Sequence, residues 1–235
     1  MPDHDGARFV GTEAAHDVDG AVVVVDVLRA FTTAACAFGA GARHIYLVAG
    51  VDEALAFKAS HPGALAMGEE GGRRPAGFDF ANSPTELAAA DVGGRVIVQR
   101  TSAGTQGVVA ARRATRLWCA GLVTASATAA AVRAAGLGPP TYVITGWSGR
   151  APGSGLDDLA TAELIERARR GLPLDAEQTA RSVAASDEAV RTLAIGPGHV
   201  HPEDIERAVD VDAFDFAMEV RRDAQGLRLD RVAPG

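Results

Sequence analysis

Lysine is almost missing from this chain: Lys58 is the single lysine among 23 Lys and Arg residues. With so much alanine and glycine beside it, the arginine excess reads as base-composition bias. Aromatic residues make up only 5% of the sequence, so the core has to be built from Val, Ala, Leu and Ile. The two cysteines, Cys36 and Cys119, lie far apart in apolar runs and lack any zinc-binding spacing, which suits buried free thiols. A global basic surface is lacking too. The formal net charge is −7, which argues against a nucleic-acid partner. Apolar runs do not reach the ~18 residues needed to span a membrane. The opening MPDHDGARF, which includes His4, is polar and acidic, unlike a signal peptide, so a cytoplasmic location is expected.

Familiar catalytic signatures are also absent. A phosphate-binding GxxxxGK[ST] loop is excluded because Lys58 does not follow glycine. Leu28 stands two residues after Asp26, where a haloacid-dehalogenase-type site would want a second Asp. Ala42 and Ala125 stand six residues after Cys36 and Cys119, where a cysteine phosphatase would want Arg. Arg43-His44 runs into Ile45 rather than glycine, against a histidine phosphatase. Hydrolysis by a metal-activated water is the scheme left, with a side-chain nucleophile still open.

What is present is a regular alternation of strands and helices. The β-branched run 21–28 reads as a strand buried on both faces. Further strands are expected at 44–49, 64–69, 95–99, 116–120 and 141–145. Helices are expected from about 32 to 39 and at 51–60, 105–113, 124–135 and 157–170, with one or two more over 175–194. Ser83-Pro84-Thr85-Glu86 has N-cap, N1 and N3 chemistry for a helix start, and 70–82 reads as a loop. Residues 214–220 and 227–232 suggest a C-terminal hairpin addition. The pattern predicts one α/β domain over 1–235, a three-layer α-β-α fold with a mixed, largely parallel sheet.

Ligands in such sheets bind at the carboxyl ends of strands. Four such ends carry acids, arginines, hydroxyls and glycines together: Asp26 to Thr33, Glu69 to Arg74, Arg100 to Thr105, and Gly146-Trp147-Ser148-Gly149-Arg150 running on to Asp157-Asp158. Hard oxygen ligands suit Mg²⁺, and arginine and glycine turns suit oxyanions. His199 and His201 form a turn before a helix at 203–209, with an anion contact as the alternative.

At these residues the chain resembles the 2-phosphosulfolactate phosphatase (ComB) family of coenzyme M biosynthesis. The matching blocks are VVVVDVLRAFTTAACAFGAGA, GEEGGRRPAGFDFANSP, RTSAGTQG and GLDDLATAELI, collinear over roughly 20–220. The resemblance implies the three-layer fold with a mixed sheet, a Mg²⁺ cofactor, and release of phosphate from a small anionic phosphoester. It also makes a homodimer the expected assembly. Mg²⁺ is expected on carboxylates from among Asp26, Glu69, Asp79 and Asp158. Asp26, Arg29, Thr101 and Thr105 are the expected catalytic groups. Thr32, Thr33, Asn82, Ser83, Arg100, Ser102 and Gly104 are the expected substrate contacts. The chain departs from the family at Glu69-Glu70, where Glu-Arg is common, and at Arg100 to Thr105, where Thr-Thr-Asn-Gly-Thr is common. A third departure is Asp157-Asp158, where the family has Glu-Asp. These changes leave a different small phosphorylated acid, or a non-catalytic anion-binding role, as the alternatives.

Overall fold

A computed structural model describes residues 6–147 and 154–234. His4, Ser148, Gly149 and Arg150 lie outside the described residues. In the first part, strand β1 (Arg8–Gly11) and a 3-10 segment (Thr12–Asp17) lead to β2 (Ala21–Val25), α1 (Ala30–Gly39), β3 (His44–Val48), α2 (Val51–Ser60), β4 (Leu65–Gly68) and the short β5 (Phe80–Ala81). Then come α3 (Pro84–Ala88), β6 (Val96–Arg100), α4 (Gly104–Ala110), β7 (Arg116–Ala120), α5 (Ala125–Ala134) and β8 (Thr141–Ile144). The last third holds α6 (Leu156–Arg169), α7 (Ala176–Ala184), α8 (Asp187–Ala194), α9 (Asp204–Ala208), β9 (Ala217–Asp223) and β10 (Gly226–Val232).

Local chemistry explains many of these boundaries. The five valine-rich residues of β2 are all buried, as a strand covered on both faces requires. Ser83 caps α3 by accepting the Glu86 N–H, with Pro84 in the first turn. Ser186 and Asp175 cap α8 and α7 in the same way. β1 and β5 were not expected from the sequence; both are too short to show an alternating pattern.

The strands form a single sheet among the described residues, in the order β1-β8-β2-β7-β9-β10-β3-β6-β4-β5. β1, β8, β2 and β7 are mutually parallel, as are β3, β6, β4 and β5. The hairpin β9-β10 joins the two groups through antiparallel pairings with β7 and β3. The hairpin is therefore the centre of the sheet rather than an addition to it. Three antiparallel junctions also make the two parallel groups run in opposite senses, so the strand ends do not share one straight rim.

They meet instead through twist and crossover. Sheet twist of roughly 20–25° per strand accumulates between β2 and β6. Helix α1 crosses from the first group to the second, and α4 crosses back. Phe31 and Phe38 of α1 share one core with Val24 and Leu117 of the first group and Ile45 and Ile97 of the second. On the opposite face, Val23, Trp118 and Tyr142 pack in a core with Ile165 of α6, and Tyr46 and Val98 pack with Phe57 of α2. Successive residues of each strand alternate between these cores, giving three layers, α-β-α. Cys36 and Cys119 are free and buried, and burial pushes the Cys36 thiol up to about 11.

Candidate functional site

The last residue of β2 is followed by Asp26, whose carboxylate is 6% exposed. Its Oδ1 accepts the Ala30 N–H at 2.9 Å, the first turn of α1. Its Oδ2 faces the start of α4: a Cβ on Gly104 would lie 2.8 Å from that oxygen and 2.6 Å from Ala30 Cβ. Gly104 is thus needed for space, so that α4 can press against the Asp26 carboxylate.

Asp157 and Asp158 begin α6 and are each 4% exposed. Asp158 ties the loops after β2 and β8 together. Its Oδ1 accepts the Val27 N–H at 2.9 Å, and its Oδ2 takes the Gly146 N–H at 3.0 Å and the Thr145 hydroxyl at 3.1 Å. Burial, then the charge of neighbouring acids, raises all three carboxyls. Asp26 is pushed up to about 7, by burial and then by the charges of Asp157 and Glu69. Asp157 is pushed up to about 6, by burial and then by Glu188. Asp158 is raised as well, by burial and then by Asp157 and Asp26. Asp26, Asp157 and Asp158 line one hollow of about 540 Å³, with Glu13, Glu188 and Arg191 at its walls.

A second hollow of about 320 Å³ adjoins it through Asp26, Ser102 and Ala103. Its distinctive groups are Arg29, Asn82 and Glu69. Arg29 is 3% exposed, and its Nη1 donates to Asp204 Oδ2 at 3.0 Å and to the His199 carbonyl at 2.9 Å. Asp204 is fully buried and also accepts from Ser83 Oγ at 2.6 Å, from the Thr85 N–H and from the His201 N–H. Burial lowers the Arg29 pKa, and Asp204 opposes that shift. Asn82 is 4% exposed, and its buried Oδ1 has no hydrogen-bond partner. Such an unmatched group is uncommon in a folded interior.

Several expected site residues hold the local structure together. Glu69 reaches the second hollow, but its carboxylate accepts from the Gly72 N–H at 2.6 Å and from Ser102 Oγ at 2.9 Å, and also from the Ser102 N–H, closing two turns. The Thr105 and Thr101 hydroxyls bond each other's backbone: Thr101 N–H donates to Thr105 Oγ1 at 2.9 Å, and Thr105 N–H to Thr101 Oγ1 at 3.0 Å. Thr32 and Thr33 donate to the carbonyls of Val27 and Arg29 and are fully buried in α1. Ser83 is held by Asp204. Arg100 braces loops through the carbonyls of Glu69 and Ala49, and it does not line either hollow. Asp79 stands apart: its carboxylate pairs with Lys58 at 2.7 Å and accepts the Ala66 N–H, midway along β4. It lines neither hollow.

The structure adds groups that were not singled out from the sequence: Glu13, Glu188, Arg191 and Asp204. A surface helix with an acid and an arginine three residues apart looks the same in sequence whether it caps a site or faces water. His199 and His201 contribute mainly backbone atoms, which fix Arg29 and Asp204, although His199 Nδ1 also accepts the Arg74 N–H at 3.0 Å.

A larger hollow of about 600 Å³ lies at the other end of β3 and β6, among Arg43, His44 and Arg95. None of the clustered carboxylates lines it, so its size does not make it the better candidate. Among the described residues, no group of three or more His, Cys, Asp or Glu side chains forms a ready-made metal cage. Mg²⁺ does not require one, because it keeps several waters and takes only one or two carboxylates. Arg191 offsets part of the negative charge on Asp157, yet burial and neighbouring acids still hold Asp26 and Asp157 well above the usual carboxylate range, and that crowding is the observation that fits a hard divalent ion.

Comparison with known proteins shows the family. A family model described as 2-phosphosulpholactate phosphatase matches residues 10–220. The chain is 31% identical over 211 residues to the "Probable 2-phosphosulfolactate phosphatase" of Bacillus subtilis, covering 89% of this chain and 91% of that one. It is 32% identical over 197 residues to the protein of that name from Thermoplasma acidophilum, covering 84% of each. It is 42% identical over 145 residues to the one from Thermus thermophilus, covering 61% of this chain and 59% of that one. With the match running from β1 to β9 and taking in both hollows, the chain belongs to the 2-phosphosulpholactate phosphatase family.

Proposed function

We propose that this protein is a Mg²⁺-dependent phosphomonoesterase that releases phosphate from 2-phosphosulfolactate or a similarly small, highly anionic ester. The observation that carries this reading is the pairing of a buried acidic hollow with an adjoining hollow holding a fixed arginine. A phosphoryl group brings negative charge that needs both a cation and donors.

Asp26 and Asp157 would hold the Mg²⁺, with waters completing its shell. The ion would supply charge neutralisation on phosphoryl oxygens and an acidified water, which are its usual contributions to phosphate-ester hydrolysis. The chain's own residues do the rest. Arg29, held by Asp204, offers a rigid guanidinium to an oxyanion, and arginine suits that task through its planar donor fork. Ser102 at the wall between the hollows and Asn82 inside the second would orient the substrate. Asp158 keeps the loops after β2 and β8 in register, and Glu69 does the same for the Gly71-Gly72 and Ser102 turns. Burial of the acids keeps bulk water away and strengthens each electrostatic contact.

The test is a panel of phosphomonoesters assayed with Mg²⁺, with Mn²⁺ and with EDTA. Selective, chelator-sensitive turnover of phosphosulfolactate is the expected result. Better turnover of another small phosphorylated acid would move the substrate but keep the chemistry. Absence of turnover across the panel would refute the reading.

A further inference from the structure

We infer that Arg191, on α8, determines specificity by pairing with a second anionic group of the substrate, a carboxylate or sulfonate next to the phosphoester carbon. This inference rests on the phosphatase reading above and assigns a role within the same site.

Arg29 and Arg191 are the two arginines that line the second hollow among the described residues. They are held very differently. Arg29 is almost fully buried and locked to Asp204. The Arg191 side chain is 44% exposed, and its partner is Glu188, one helical turn away on α8, at 2.8 and 3.1 Å. Such an exposed pair on one helix is weak and exchanges readily. Arg191 and Glu188 both line both hollows, so the guanidinium stands where acidic and basic compartments meet.

A monoanionic placeholder explains the geometry. Glu188 keeps Arg191 from settling on the Asp26 and Asp157 carboxylates, which must stay available for a cation. A substrate anion with two or three equivalent oxygens can replace Glu188 and use the same donor fork. Arg29 thus serves the constant part of the substrate, the phosphoryl group, and Arg191 the variable part. α8 is docked by its far end, where Ile195 packs so closely that a Cβ on Gly72 would collide with it.

The test compares Arg191→Ala and Arg191→Lys with the wild type, with Mg²⁺, on three esters: phenyl phosphate, phospholactate and phosphosulfolactate. These carry no further anion, a carboxylate, and a carboxylate with a sulfonate. For Arg191→Ala, kcat/KM on phosphosulfolactate should fall ten-fold or more, mainly through KM, and by at least three-fold more than on phenyl phosphate. Arg191→Lys should recover part of the loss. A parallel fall on phospholactate identifies the carboxylate as the group read, and a fall confined to phosphosulfolactate identifies the sulfonate. Equal losses on all three esters, or no loss, would overturn the inference. Sulfolactate binding, followed by calorimetry with Mg²⁺, should weaken ten-fold in Arg191→Ala, and unchanged binding would also overturn it. If the wild type hydrolyses none of the esters yet sulfolactate binding still needs Arg191, the phosphatase reading fails and this inference stands.

Discussion

The two hollows share a wall and differ in how their charges are balanced. In the second, Arg29 has its counter-charge built in: Asp204, brought from 175 residues away, is fully buried and accepts four hydrogen bonds. In the first, burial raises Asp26, Asp157 and Asp158, the charge of Asp157 adds to the shift of the other two and Glu188 to that of Asp157, and the arginine lining the hollow, Arg191, is paired with Glu188. The arginine of one compartment is neutralised as folded, and the other carries excess negative charge. That contrast is a stronger pointer to an exogenous cation than the number of acids, since the chain contains many acids that are neutralised internally. Asp79 with Lys58 is one of them.

The comparison can be broken most severely at Asp26. Asp26→Ala should cut Mg²⁺-dependent turnover by about 10³-fold or more, the scale seen when a key electrostatic group is removed from a site. Its circular dichroism should stay like that of the wild type, and loss of fold rather than of turnover would contradict the role. Gly104→Ala attacks the same carboxylate sterically. With Ala30 Cβ at 2.6 Å and Asp26 Oδ2 at 2.8 Å from the new methyl, it should cost about 1–3 kcal/mol of stability and displace Asp26, measured by urea unfolding and by assay.

A smaller effect should appear in the pH dependence of the cation-free protein. Folded Asp26 keeps its proton up to about 7, against 3.8 for its model value. The folded state therefore binds more protons than the unfolded chain between those values, and stability is lost as pH rises through 7. The melting temperature in EDTA should fall by several degrees from pH 5 to pH 8 and recover on adding Mg²⁺. A flat profile would mean that the acids are not crowded as described. The least effect on turnover is expected at Asp79. Asp79→Asn should change kcat/KM by less than about three-fold, while loosening a half-exposed ion pair worth about 0–1 kcal/mol. A large loss of turnover would return Asp79 to the metal site.

Much of the fold could be read locally. The valine run of β2, the capped start of α3 at Ser83 and the helix over 51–60 depend on nearby residues, and each forms where expected. The position of the β9-β10 hairpin could not be read that way. Its strands alternate like any hairpin, but pairing with β7 and β3 is set by long-range packing. The site divides along similar lines. Asp26, Arg29, Asn82, Ser102 and Asp158 line the hollows, because strand ends and helix starts place them there. The hydroxyls of Thr32, Thr33, Thr101 and Thr105 bond backbone groups of their own segments. Threonine beside a helix start suits a backbone bond as well as it suits an oxyanion. Arg191 and Asp204 were illegible because their roles depend on where α8 and α9 dock.

The proposed Mg²⁺ site in the acidic hollow is open to a calorimetric Mg²⁺ titration near pH 7.5. One saturable site per chain is expected in the wild type, and its loss in Asp26→Asn/Asp157→Asn. Absence of Mg²⁺ binding in the wild type, or undiminished binding in that double variant, would contradict it.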